Sequence, residues 1–174
     1  MAVEVSHPSA DQPQQPLLAA QNSLEQTFVF FHNSTQRYVN LYWMDFNGRQ
    51  DFFTMLKPGA GIKANTFVTH PWIFRDSQTG ERMQVKHQDI FWPQLYRVRD
   101  PQNRCQWIPC RKLITIHQPV RSLRYTSLWN YAKQIYGNQR VVLEREDIPN
   151  ILKRDLSNVL KLIEKHQAMG VRGR

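Results

Sequence analysis

Cysteine, glycine and long apolar runs are all scarce in this 174-residue chain. Cys105 and Cys110 alone cannot build a disulfide framework or a four-ligand zinc site. Four residues separate them, Pro109 among them, which is not the spacing of a zinc knuckle. So little cysteine fits a reducing compartment, and a cytoplasmic and nuclear location is expected. Only seven glycines are present, and no Gly-rich phosphate loop, His-Glu-x-x-His helix or Gly-x-Ser-x-Gly elbow occurs. A catalytic role is not expected, nor a metal or other cofactor. No apolar stretch approaches the ~20 residues of a membrane span, and no basic-then-apolar leader opens the sequence. No membrane association is expected. Residues 1–25 hold no Lys or Arg, three acids and the run Gln12-Pro13-Gln14-Gln15-Pro16, a composition expected to form a disordered tail.

Charge is present but not patterned. Lys and Arg number 23 against 14 Asp and Glu, a net charge of +9. Residues 26–118 carry 12 basic and 6 acidic side chains, and residues 119–174 carry 11 and 5. An even excess of this kind favours solubility and acidic protein partners over a nucleic-acid stripe, which needs clustering on one face. Asp45 and Asp51 form a carboxylate pair on paper, with nothing else to suggest a cleft. Asn33-Ser34-Thr35 matches a glycosylation sequon in a chain without a visible leader.

Aromatic side chains are patterned. All nine Phe fall between Phe28 and Phe91, and four of five Trp between Trp43 and Trp107. With β-branched residues and closely spaced turn signals, they predict strands at Thr27–Phe31, Tyr38–Met44, Phe52–Leu56, Ile62–Val68, Trp72–Phe74, Arg82–Lys86 and Trp107–His117. In the second, Val39, Leu41 and Trp43 share one face and Tyr38, Asn40, Tyr42 and Met44 the other. Asn47-Gly48 is a turn dipeptide. Beyond Pro119 the period changes. Leu123, Leu128, Tyr131, Ala132 and Ile135 recur at helical intervals, with Ser122 to cap and Gly137 to stop. A second helix is expected from about Asp147, carrying Ile148, Ile151, Leu152, Leu156, Val159, Leu160 and Ile163 as an apolar stripe. The expected fold class is α+β in two domains. An antiparallel β-sandwich over 26–118 follows the 1–25 tail, and a small helical domain over 119–174 has its last helix packing back on the sandwich.

Three segments then stand together: Asn33-Ser34 with Leu41-Tyr42-Trp43-Met44-Asp45-Phe46-Asn47-Gly48, Leu56-Lys57-Pro58-Gly59-Ala60-Gly61, and Thr66-Phe67-Val68-Thr69-His70-Pro71-Trp72-Ile73-Phe74-Arg75-Asp76. In residue type and ungapped spacing they closely resemble the β-domain of the von Hippel–Lindau (VHL) tumour suppressor family. The likeness fades through 77–118. It resumes at Pro119-Val120-Arg121-Ser122-Leu123 and in the last helix, from Asp147-Ile148-Pro149-Asn150 to His166-Gln167-Ala168-Met169. Acidic N-terminal repeats found in some members are absent, as in an invertebrate-type member. The resemblance implies a non-catalytic substrate receptor of a cullin–RING ubiquitin ligase. Its β-domain would bind a 4-hydroxyproline in hypoxia-inducible factor α, and its helical domain would dock on elongin C, which is partnered by elongin B.

That role asks for an apolar wall around the proline ring and a donor–acceptor pair for its hydroxyl. The resemblance assigns the hydroxyproline site to Trp43, Phe53, Thr66, His70 and Trp72, flanked by Asn65 and Phe67. Trp43 and Trp72 are suited to be walls, and Thr66 and His70 to be the polar pair. His70 and Trp72, two residues apart, are expected on one side of an extended segment. When unhydroxylated proline enters, each unmet buried group costs roughly 1–3 kcal/mol. Two such groups discriminate by a factor on the order of a thousand. Phe53 stands where many members carry a tyrosine, and Thr66 where they carry a serine. On the helical side the resemblance assigns elongin C contact to Leu123, Arg124, Ser127, Leu128, Tyr131 and Ala132. Ser127 takes the place of the usual cysteine, and Tyr131 that of an aliphatic. The connector Gly137–Glu146 is shorter than usual, which leaves direct cullin contact the least supported implication. Two rival readings remain: a sandwich that binds nucleic acid or glycan through aromatic and basic residues, and a scaffold whose helical half alone matters.

Overall fold

A computed structural model describes residues 18–138, 143 and 148–170. Among the described residues, nine strands are followed by two long helices: β1 (Gln26–Asn33), β2 (Val39–Met44), β3 (Gln50–Leu56), β4 (Gly61–Phe67), β5 (Trp72–Asp76), β6 (Arg82–Met83), β7 (Arg97–Arg99), β8 (Trp107–Pro109), β9 (Arg111–Ile116), α1 (Leu123–Ile135) and α2 (Asn150–Gly170). They form sheets of order β4-β1-β9 and β3-β2-β5-β6, with β7-β8 as a separate ribbon. Alternating apolar residues of the two larger sheets meet in one core. Val29 and Phe31 of β1 and Ile114 and Ile116 of β9 face Val39 and Leu41 of β2 and Phe74 of β5. Each such side chain contributes about 1.5–3 kcal/mol by leaving water.

Several expected boundaries move, each for a local reason. The sandwich is not wholly antiparallel, because β9 runs parallel to β1, pairing Phe28 with Arg111 through Asn33 with Ile116. The single strand expected at Trp107–His117 breaks at Cys110, whose N–H bonds Tyr96 O. One half pairs with β7, which the sequence reading missed, and the other joins β1. The strand expected at Arg82–Lys86 stops at Met83, since Lys86 and His87 turn the chain at φ 51° and 63°. Residues 18–25 do not fit the expected disordered tail. The Ala20 N–H bonds Asp45 O, the Thr69 hydroxyl bonds Asn22 O, and Ala20 is buried. The rest of that tail, 1–17, lies outside the described residues.

Asn33 ends β1 in a buried polar knot. Its side-chain amide donates to the carbonyls of Arg37 (2.8 Å), Lys57 (3.1 Å) and Leu56 (3.2 Å), while its Oδ1 accepts from the Thr35 N–H and hydroxyl. In the folded chain this sequon asparagine is committed to tying the β1–β2 loop to the end of β3. Asp45 and Asp51 also have structural work. Asp45 Oδ1 accepts from Asn47 and Arg49 N–H in the β2–β3 turn, and Asp51 accepts from the Trp43 indole.

The helices pair through Trp129, Ala132 and Ile135 of α1 and Leu156, Val159, Leu160 and Ile163 of α2. Ser122 caps α1 by accepting from Tyr125 N–H, and Gly137 follows its end at φ 98°. The start expected near Asp147 is corrected in part. Ile148 and Pro149 are not helical, Pro149 O accepts from Leu152 and Lys153 N–H, and Ile151 is exposed. Most of the 137–146 connector lies outside the described residues. As expected, the far end of α2 packs back on the sandwich. His166 meets Ser77 O at 3.1 Å and Gln167 donates to Gln78 O. Gly80 is required there, since a Cβ would lie 2.5 Å from His166 Cγ and its φ is +72°.

Asn33→Ala removes three donated and two accepted hydrogen bonds of a fully buried side chain. It is expected to lower unfolding stability by about 3 kcal/mol in urea titrations; a change within about 0.5 kcal/mol contradicts the knot.

Candidate functional site

One end of the sandwich gathers the aromatic and polar side chains singled out by the sequence. Trp72 opens β5, where it is 3% exposed. Its main chain exchanges two hydrogen bonds with Phe91, at 2.8 and 2.9 Å, and it sits opposite Trp43 of β2. Its ring lies 4.9 Å from the core ring of Phe31. Trp72 is therefore largely a core residue, not the open wall expected. Its indole N–H crosses to the other sheet and donates to Thr66 Oγ1 at 3.0 Å. With that lone pair used, the Thr66 hydroxyl still has its own proton to give.

Phe53 is the extra residue of a β-bulge. Leu41 pairs with Thr54 and Tyr42 with Phe52, so Phe53 has no partner on β2. The bulge turns its ring edge-on to Trp72, at 5.2 Å and 89°, while leaving it 41% exposed. The same irregularity ends the strict alternation expected in β2, where Met44 is buried with Val39 and Leu41. Phe53 and the half-buried Trp43 are thus the accessible apolar surfaces of the site.

His70 lies outside the strands, in the β4–β5 turn closed by its N–H to Phe67 O. The expected common side with Trp72 on an extended segment is replaced by this turn. His70 stacks on Trp43 at 5.1 Å and 14°, with Phe67 and Phe46 at 5.0 and 5.5 Å. Its Nε2 is 3.1 Å from Ser23 Oγ. Burial lowers its pKa below the ordinary imidazole value, partly offset by a hydrogen bond to the Asn22 main chain. The neutral ring can give or accept one proton at each nitrogen, according to tautomer.

Asn65 is exposed on β4, its Oδ1 held at 2.9 Å by Arg111, which also donates to Val29 and Ala64 carbonyls. Asn22, Ser23, Phe46 and Arg111 belong to this surface and were missed from sequence. Ser23 lay in a stretch whose composition reads as tail, and Arg111 in a strand whose pairing is not local.

The second candidate surface lies on α1. Leu123, Ser127 and Tyr131 succeed one another at intervals of four, and Leu123 is 83% exposed. Beside them runs an apolar hollow of about 250 Å³, lined by Ser127, Leu128, Tyr131, Ile148, Leu152 and Leu156, with Arg124 at its rim. Arg124 reaches Asp155 at 2.5 Å. Ala132 does not join this face. It is fully buried between α1 and α2 and is removed from the contact set expected for it.

Neither tryptophan offers the open, basic-collared platform of a nucleic-acid or glycan reader, because His70 covers Trp43 and the core takes Trp72. Among the described residues no three His, Cys, Asp or Glu side chains gather to hold a metal, and no helix is long and apolar enough to cross a membrane.

A β-sandwich with an aromatic, hydroxyl- and imidazole-bearing end, joined to a helical pair with an exposed apolar face, is the build of a recognition protein. The family pattern described as the VHL beta domain matches residues 18–99. Protein Vhl of Drosophila melanogaster is 36% identical over 170 residues, covering 95% of this chain and 94% of the fly protein. This chain belongs to the VHL family, and family membership supports a VHL-type role in substrate recognition.

Because the folded ring resists protonation, the unfolded chain binds the proton first as pH falls through about 6.5. The stability contributed by neutral His70 is complete above that pH and is lost below it. NMR titration is expected to place the His70 midpoint below that of free histidine; a midpoint at or above it contradicts the burial.

Proposed function

We propose that this chain is the substrate-recognition subunit of an elongin B/C–cullin–RING ubiquitin ligase and binds prolyl-hydroxylated hypoxia-inducible factor α. It directs that protein to ubiquitination and proteasomal degradation, in the cytoplasm and nucleus, without catalysing a reaction itself. The observation that carries the reading is the Trp72–Thr66 hydrogen bond. With one lone pair so occupied, the Thr66 hydroxyl donates to the hydroxyproline oxygen, and the hydroxyproline hydroxyl in turn donates a hydrogen bond to a His70 ring nitrogen. The proline ring rests against Trp43 and Phe53. Phe53 has no phenolic oxygen, so the peptide main chain loses a contact worth about 1 kcal/mol. Ser23 competes for His70 Nε2 and must rotate away when the ligand binds.

Elongin C contact rests on Leu123, with Ser127, Leu128, Tyr131 and the rim residue Arg124 around the α1 hollow. An exposed leucine at the first turn of a helix is an anchor for a partner's pocket. Ser127 brings a hydroxyl where an apolar group packs better, at a cost on the order of 1 kcal/mol if unpaired.

Tagged protein recovered from oxygen-replete cells should carry the hypoxia-inducible factor α subunit, and from oxygen-depleted cells should not, with elongins B and C constant. Leu123→Asp should abolish elongin recovery while leaving hydroxylated peptide bound. Oxygen-independent capture overturns the hydroxyproline reading, and an intact elongin complex with Leu123→Asp overturns the docking face.

A further inference from the structure

A separate cleft of about 440 Å³ opens where the two domains meet, and neither Thr66 nor His70 lines it. Four cations from different elements line it: Arg75 of β5, Arg82 of β6, Arg121 of the interdomain link and Lys165 of α2. Its two carboxylates do not balance them. Glu81 is taken by Arg37 at 2.5 Å, and Asp89 is shared between Arg121 at 3.4 Å and the Gln84 amide at 2.8 Å. Arg75 donates only to neutral oxygens, Gln50 Oε1 at 3.1 Å and Gly80 O at 3.0 Å. Among the described residues, Arg82 and Lys165 have no ion-pair partner.

Two donors here are buried and unused, Arg121 Nε and the indole Nε1 of Trp129, a residue only 3% exposed. The guanidinium of Arg75 is disfavoured by burial first and by the neighbouring charge of Arg82 second. Like charges gathered in a partly dry cleft, with unmet donors beside them, raise the energy of the empty site. A multiply charged acceptor removes both costs. Guanidinium forks match phosphate oxygens in pairs, and an ammonium adds a point charge. The volume falls within the range of small-molecule sites.

We propose that the interdomain cleft binds a small anion carrying more than one phosphate group, held by Arg75, Arg82, Arg121 and Lys165 and bridging the β-domain to the helical pair. Such a ligand stabilises the docking of the domains by mass action. The site is independent of the hydroxyproline reading.

Calorimetric titration of the full chain with inorganic tripolyphosphate and with inositol hexakisphosphate tests it, with sulfate at matched ionic strength as control. Saturable one-to-one binding of at least one phosphate probe is expected. Arg82→Gln with Lys165→Gln should weaken it about tenfold or more, whereas Arg104→Gln with Lys112→Gln, which removes the same charge elsewhere, should leave it unchanged. In NMR spectra the Trp129 indole resonance should move on saturation and that of Trp107 should not. The proposal is overturned by absence of saturable binding, by equal losses in the two double variants, or by an unmoved Trp129 resonance.

Discussion

A single buried hydrogen bond between the sheets, Trp72 Nε1 to Thr66 Oγ1 at 3.0 Å, links the core to the recognition surface. It holds β5 of one sheet to β4 of the other at the end where they approach. It also occupies one lone pair of the threonine hydroxyl and leaves its proton to donate elsewhere. An unpaired indole N–H here would cost roughly 1–3 kcal/mol, so core stability and site geometry depend on one contact. Around it the bulge at Phe53 tilts an aromatic ring toward Trp72, and the β4–β5 turn lays His70 on Trp43. The site is built from departures from regular strand geometry, and the sandwich supplies the rigidity that holds them.

The helical pair needs that rigidity too. Among the described residues its core is seven buried side chains, little for an independent unit. It is tied to the sandwich by His166 and Gln167, which bond the Ser77 and Gln78 carbonyls of the turn before β6. Lys133, whose pKa burial lowers, lies close enough to feel the charge of Arg37 as well. The interdomain seam is therefore crowded with cations, and acidic groups there are already spoken for. At the start of α1, Leu123 stands in water with none of the described residues covering it.

Much of the fold was legible because the core obeys simple periods. Val29 and Phe31 in β1, and Val39 and Leu41 in β2, alternate as half-buried strands do, and Ser122 and Gly137 mark α1 at both ends. What was not legible depends on pairing at a distance. The parallel partnership of β1 and β9 joins residues 83 apart in the chain, Phe28 with Arg111, and the break at Cys110 follows from which partner each half takes. Residues 18–25 read as tail because their order comes from hydrogen bonds to Asp45 and Thr69, not from their own apolar content. The site residues were chosen through the family likeness, since composition alone cannot separate a core tryptophan from a binding one. Trp72 turned out to be mostly the former. Ala132, apolar and at helical spacing, was assigned to a partner when its place was the α1–α2 seam.

The central claim is that a protein hydroxyl and imidazole, oriented by the core, read a single oxygen on the ligand. The most direct measurement compares affinities for matched hydroxylated and unmodified target peptides in the natural chain, Thr66→Ser and Thr66→Val. The account predicts a preference on the order of a thousandfold in the natural chain, nearly kept by serine and reduced at least tenfold by valine. A preference unchanged by valine, or absent from the natural chain, would contradict it.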